Sequence, residues 1–303
     1  MTNILVSGLI NIETTLRVEG FPIAYNPVNY PFFGVNSSVS GVGYNISKAL
    51  TALGDGVRFL SLVGGDLAGQ LVYSALSADH IPSDGVLPSL PATAQSVILF
   101  DPSGRRQIYT DLKDIQEQAY PIDRFDEAAA ACDWLALCNI NFSRPMLERA
   151  QRAGKPIATD VHTICDLDDP YNRDFMQAAT VLFMSDECLP EPPERWARHV
   201  SNRFGAEIVV IGLGAKGAVL AVRADHVIER FPVIPTRPAV STIGAGDALF
   251  SAFLHCYARG DDPYLSLRKA MIFASYKIGV ASAAGGFLDE AGLEEWLAKV
   301  TVE

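Results

Sequence analysis

Apolar and polar positions along the 303-residue chain fall into two rhythms. Short apolar runs recur at Ile4–Ile10, Val57–Val63, Trp134–Cys138, Pro156–Asp160, Val181–Met184, Ile208–Ile211 and Ala218–Val222, and predict strands. Helical spacing predicts elements between and after them. Ile46, Ala49, Leu50 and Leu53 form one stripe, closed by Gly54, and a second helix starts near Leu67, where Asp66 is expected to cap it, with substrate binding as the alternative role. Further helices are predicted at Arg144–Ala153, at Pro193–Phe204, after Asp247, and at about Tyr264–Ala281. From Ala128 onward the two kinds of element alternate. That alternation implies βαβ units and a parallel sheet covered on both faces.

The stretch 14–40 differs. Thr14–Val18 alternates as a half-exposed strand does, and then Phe21, Tyr25, Tyr30, Phe32 and Phe33 crowd among prolines. Proline there favours edges and loops. Thr93–Phe100 and Gln107–Asp111 flank Asp101-Pro102-Ser103-Gly104, a hairpin signal. Together these predict a small β layer outside the main sheet, a candidate lid. Arg105 and Arg106 follow the turn, either to meet a phosphate or simply to be solvated.

Composition narrows the class. Hydrophobic content of 49% with 19% charged residues fits a globular protein with a large core. A net charge of −11 argues against nucleic acid or an anionic membrane as partner. The five cysteines are scattered, with no C-x-x-C pair, so neither a zinc site nor a disulfide framework is indicated, and buried reduced thiols are expected. The beginning of the sequence lacks a signal-peptide pattern, and no apolar run is long enough to span a bilayer. The expectation is a cytoplasmic protein.

The chemistry concentrates at Ser241–Leu254. The turn Gly244-Ala245-Gly246 opens into an apolar helix, with Asp247 at its start. Helix starts carry N–H groups without internal partners, and with the helix dipole they favour phosphate. The dipole is expected to lower the pKa of Asp247 and keep it ionised, ready to accept a hydroxyl proton. A cap is the competing structural role. Ser40-Gly41-Val42-Gly43-Tyr44-Asn45 is a second glycine-rich helix start, where Asn45 either binds a substrate hydroxyl or caps the helix. Asn11 and Glu13, beyond the first strand, are candidates to hold a polar substrate or to cap a turn. Gly212-Leu213-Gly214-Ala215-Lys216-Gly217 fits G-x-G-x-x-G, but a strand pattern follows instead of a helix, which excludes a Rossmann NAD site. No Lys-Ser or Lys-Thr follows, which excludes a Walker A loop. A glycine-rich hairpin remains.

Three of these stretches resemble the ribokinase-like, or PfkB, carbohydrate kinases. Ser241–Leu254 is similar to that family's carboxyl-side signature. Ser40–Ser47, with Gly54 and Gly64 downstream, is similar to its amino-side signature, and Gly212–Gly217 to its nucleotide loop. The resemblance covers almost the whole chain. It implies an α/β fold with a doubly wound, mostly parallel sheet, helices on both faces and a small β-sheet lid. The chain would then be a single domain, 1–303, its lid formed by insertions at about 13–38 and 93–113. It implies ATP-dependent phosphorylation of a hydroxyl, usually a primary CH₂OH, on a sugar or sugar-like molecule. Asp247 matches the general base, and Gly244, Ala245 and Gly246 the anion hole. Asn11, Glu13, Gly41, Gly43 and Asn45 match substrate contacts. Gly212, Gly214 and Gly217, with Thr242 and Ser185, match the nucleotide side.

Departures from the family pattern are expected to matter. Glu13 stands where Asp is usual. Ser241 stands where an Asp that helps hold a monovalent cation is common, which puts potassium activation in question. The family's Asn-x-x-Glu, linked to Mg²⁺, is present only as Ser185-Asp186-Glu187-Cys188, with Glu187 or Asp186 left to act through water. Gly212 replaces a frequent Thr or Ser. A nucleoside kinase, with lid aromatics stacking on a base, and a non-catalytic sugar- or nucleotide-binding relative are the alternatives. A homodimer through the lid is a further expectation.

Overall fold

A computed structural model describes residues 2–302. Strand β1 (Asn3–Ser7) leads into β2 (Asn11–Arg17) and β3 (Val35–Ser40) of a small sheet, then helix α1 (Val42–Ala52). The chain continues through β4 (Gly56–Gly64), α2 (Leu67–Ala78) and β5 (Val86–Leu90), and a hairpin of β6 (Gln95–Phe100) and β7 (Arg106–Asp111). Alternation follows: α3 (Ile122–Ala130), β8 (Trp134–Leu137), α4 (Arg144–Arg152), β9 (Ile157–Thr163), α5 (Arg173–Ala178), β10 (Val181–Ser185), α6 (Pro193–Phe204) and β11 (Ile208–Gly212). Strands β12 (Ala218–Val222) and β13 (Val227–Phe231) precede α7 (Ala245–Ala258), α8 (Pro263–Lys277) and α9 (Glu290–Val302).

Among the described residues the main sheet has nine strands, ordered β13-β12-β11-β10-β9-β8-β1-β4-β5. Strands from β5 to β11 run parallel, and β12 and β13 turn back antiparallel at one edge. Within β1, Ile4 and Val6 enter the layer built with α1, α2, α7 and α8, while Leu5 enters the layer built with α3 to α6. Both faces are therefore dry, which is why the parallel strands read as unbroken apolar runs. Winding outward from β1 reverses between β4 and β8, so the crevice for ligands lies beyond the carboxyl ends of β1 and β8.

The run Ile4–Ile10 is not one strand, as expected, but breaks after Ser7. A side chain at Gly43 would come within 2.6 Å of the Gly8 backbone, and the Leu9 carbonyl accepts the Gly43 N–H at 3.0 Å. The start of α1 thus crosses directly over Gly8, and the chain leaves the main sheet there. Helix α8 also ends earlier than its pattern predicts. The Ile278 carbonyl is taken by the N–H groups of Val240 and Ser241, so the incoming 240–241 segment closes the helix.

The small sheet is ordered β3-β2-β6-β7, and the Asp101–Gly104 turn joins its hairpin as expected. Arg105 folds back on Asp101 at 2.8 Å instead of reaching outward. Residues 18–34 carry no strand, and Tyr25, Tyr30, Phe32 and Phe33 are exposed. Among the described residues, no helix is long and apolar enough to cross a membrane. The cysteines are free; Cys132, Cys138 and Cys256 are buried, whereas Cys165 and Cys188 are exposed, contrary to the expectation of uniformly buried thiols.

Candidate active site

Gly244 caps the start of α7 with φ +75, and a Cβ there would lie 2.5 Å from the Ala283 carbonyl oxygen. Only glycine makes this turn so close to the 283 backbone. The N–H groups of Gly246 and Asp247 take no acceptor among the described residues, and Gly246 is exposed. Behind this open first turn the helix is fixed. Phe250 and Phe253 meet Phe183 of β10 edge-on at 5.2 and 5.3 Å between ring centres.

Asp247, the third residue of α7, accepts a 2.7 Å hydrogen bond at Oδ2 from Asn45 Nδ2. Asn45 is not a cap, one of its two expected roles. It lies inside α1, whose cap is Gly41, and its side chain crosses to α7. Ser40 Oγ donates to Glu13 Oε2 at 3.1 Å and lies 3.5 Å from Asn45 Oδ1. A continuous polar chain therefore joins Glu13, Ser40, Asn45 and Asp247. Asn11 donates to Ser96 Oγ at 3.0 Å, and its own Oδ1 is buried without a partner among the described residues. Glu13 pairs in register with Ser38 and Ser96, and Ser96 with Thr110, so all four share one face of the small sheet. The small sheet thus presents a wall of amide, hydroxyl and carboxylate groups on the side of Asp247.

Electrostatics corrects one expectation. Burial raises the pKa of Asp247; the Asn45 bond, His162 and Lys277 oppose this, and Asp160 reinforces it. The helix dipole does not prevail, because the carboxylate sits in a desolvated crevice. Burial likewise raises Glu13, opposed by Ser40 and Lys277 and reinforced by Asp247. The Asp247 carboxylate thus discourages ionisation of Glu13.

The remaining expected residues stand at other edges. Ser185 and Gly212 pair in register at the carboxyl ends of β10 and β11. Gly214 opens the turn between β11 and β12, with no atom within 4 Å of where its Cβ would be. Gly217 is different: its φ is +95 and the Phe231 carbonyl occupies the space of a side chain, so strand pairing already demands glycine there. Thr242 is exposed on the loop before α7. Glu187 is exposed, and its N–H donates to Ser185 Oγ at 3.2 Å. Among the described residues, no group of three or more His, Cys, Asp or Glu is placed to hold a metal ion. Asp66, by contrast, caps α2 as expected, accepting from the Gly69 N–H at 2.8 Å.

Three titratable residues near Asp247 are absent from the sequence-based candidates. Asp160 and His162 lie in the second half of β9, where the Asp160 carboxylate accepts the His162 N–H at 2.8 Å. The strand predicted at Pro156–Asp160 ends on this acid, and its place at that predicted carboxyl end was the available signal. Lys277, in the last turn of α8, has 0% exposure, and its Nζ donates to the Ile243 carbonyl. No sequence signal marks it, because one lysine in a helical stretch normally faces water.

The description "pfkB family carbohydrate kinase" matches residues 1–290. The acarbose 7(IV)-phosphotransferase of Actinoplanes sp. is 25% identical over 96% of this chain and 97% of its own length. The 1-phosphofructokinase of Haloferax volcanii is 29% identical over 87% of each chain. The solved structure of a microbiome-derived acarbose kinase, Mak1, superposes with a TM-score of 0.87 at 26% identity, covering 98% of this chain and 99% of that one. A family match over nearly the whole length agrees with the doubly wound sheet and the separate small sheet, and the chain belongs to the pfkB family of carbohydrate kinases.

Proposed function

We propose that this protein transfers the terminal phosphoryl group of ATP to a hydroxyl of a neutral sugar, with Asp247 as general base. The observation that carries the reading is the juxtaposition at the start of α7. A carboxylate held by Asn45 stands beside two uncovered N–H groups and opposite a polar wall. Asp247 takes the proton as the acceptor oxygen attacks phosphorus. The new O–P bond forms while the bond to the bridging oxygen breaks, and ADP leaves with that electron pair. Gly244, Ala245 and Gly246 form the anion hole, where the N–H groups of Gly246 and Asp247 receive the charge of the transferred group. A raised pKa suits this role, since a stronger base takes the proton more readily.

Gly212 and Gly214, with Ser185 and Thr242, form the nucleotide side. Gly41 and Gly43 let α1 approach, and Asn11, Glu13 and Asn45 contact the acceptor. One exposed carboxylate, Glu187, fits Mg²⁺, which keeps several waters and is held largely by nucleotide phosphates. When bound, Mg²⁺ screens the phosphate oxygens. The small sheet acts as a lid that keeps water from competing with the acceptor. This reading places the protein in the cytoplasm, where ATP is available.

The wall favours a sugar over a nucleoside. Its members are Asn11, Glu13, Ser38, Ser96 and Thr110, whereas Tyr30, Phe32 and Phe33 are at least 76% exposed and outside these rows. The carboxylate of Glu13 also favours a neutral acceptor over a sugar phosphate. The relatives named for acarbose support a carbohydrate acceptor. The apolar side chains of Val35, Val97 and Tyr109 on the opposite face support lid-to-lid pairing of two copies, which sedimentation equilibrium tests. For the reaction, ATP consumption is measured with ribose, fructose, fructose 1-phosphate, acarbose and inosine. Turnover with a neutral sugar supports the reading. Turnover with inosine alone selects the nucleoside alternative, and binding without turnover anywhere selects a non-catalytic relative.

A further inference from the structure

Lys277 is the one lysine among the described residues with no exposed surface, and its burial has no local compensation. Its Nζ donates to one neutral acceptor, the Ile243 carbonyl, and no carboxylate lies within 4.0 Å of it. Burying an ammonium without a charged partner is costly, so such a group is seldom kept without a use. The acids that face it, Asp247 from α7 and Glu13 from β2, act on it only at longer range. Burial accordingly pushes the ammonium down to about 8.

Its position explains why such a charge is kept. A Cβ on Gly244, the cap of α7, would lie 3.2 Å from Lys277 Nζ. The ammonium therefore sits directly beneath the positive end of the helix dipole. Two positive features placed together repel each other unless an anion lies in front of them. The uncovered N–H groups of Gly246 and Asp247 mark where that anion would be.

We propose that Lys277 is a positioning residue for phosphoryl transfer: its ammonium holds the 243–244 turn from behind and adds a fixed positive charge to the anion hole. The proposal rests on the kinase reading. Lys277 touches the turn, not the substrate, and acts through it. A built-in cation at this place also makes turnover independent of added potassium, in keeping with Ser241 in place of an acid.

The test compares Lys277→Met, which removes charge at nearly constant volume, with Lys277→Ala, which leaves room for a small cation. The unaltered protein serves as control on its best acceptor in sodium and in potassium buffer. If the control phosphorylates nothing, the kinase reading falls, independently of Lys277. With an active control, the expected result is equal turnover in both salts and a kcat at least about 100-fold lower in Lys277→Met, with the acceptor KM little changed. Lys277→Ala is expected to regain about tenfold or more with ammonium or methylammonium chloride, and nothing with tetramethylammonium. Lys277→Met at near-control kcat overturns the proposal, as does a Lys277→Ala protein that no small cation restores. Thermal melts accompany both variants. If Lys277→Met does not fold, the cation response of Lys277→Ala decides alone.

Discussion

Helix α7 meets the α1 segment at both of its ends. At the start, Asp247 accepts a 2.7 Å hydrogen bond from Asn45 of α1. Near the end, His255 Nδ1 lies 2.7 Å from Asp55 Oδ2, just beyond α1. One pair ties α7 to α1 and the other ties it to the turn just after α1, and both contain a carboxylate. The distal pair is sealed, and the charges around it are consumed locally. Lys269 bonds Asp261 at 2.8 Å and Glu294 at 2.7 Å, and Arg259 bonds Glu290 at 2.7 Å. The proximal pair opens beside an exposed glycine, two uncovered N–H groups and a polar wall. A buried carboxylate by itself therefore says little about chemistry. Uncovered donors beside it make the difference.

The largest effect expected from this comparison is on turnover. Asp247→Asn keeps the shape and the fold but lowers kcat roughly 10²–10⁴-fold, with ATP binding by calorimetry retained. The same variant has a second expected sign. The folded-state pKa of Asp247 is raised, so its contribution to stability is present below the unfolded value and lost as pH rises through the folded one. Above the folded value the ionised group costs stability, and there the variant should melt no lower than the parent. A markedly lower melting temperature would make Asp247 a structural residue like Asp55.

Asn45→Ala gives a smaller effect. It removes the donor that favours ionised Asp247, so the carboxylate pKa rises further and the acid limb of the kcat/KM profile moves to higher pH. An unmoved limb would separate Asp247 from the titration that controls activity.

Smallest in activity is Asp55→Ala. It leaves a buried imidazole nitrogen unpaired and should cost about 1–3 kcal/mol of stability in denaturant titration. The kcat/KM should stay at the parental value. A specific loss of kcat without loss of stability would show that the sealed end of α7 also serves the reaction.

The sequence made some of this plain. The apolar runs of β1, β4, β10 and β11 announced a sheet buried on both faces, and Gly244–Asp247 announced an open helix start. Asp66 and the 101–104 hairpin followed from local turn chemistry, which needs no tertiary knowledge. Where tertiary contact decides, the reading failed. Gly8 breaks the first strand because α1 lands on it, a crossing from a distant element. At Gly217 the pattern of a phosphate loop hides a second demand for glycine, the pairing with β13. The pKa of Asp247 was misjudged because the dipole is a property of the helix alone, while desolvation depends on what closes over it. Lys277 was invisible because nothing in the α8 pattern tells which lysine meets another helix's cap.

If Asp247 is the base, the start of α7 faces both the transferred phosphoryl group and the hydroxyl that receives it. A crystal structure with ADP, aluminium fluoride and the best neutral sugar acceptor tests this directly. Fluorides are expected at about 2.7–3.1 Å from the N–H groups of Gly246 and Asp247. The sugar hydroxyl is expected within about 2.6–3.2 Å of the Asp247 carboxylate. A transition-state mimic bound away from the 244–246 turn, or an acceptor hydroxyl out of reach of Asp247, would contradict it.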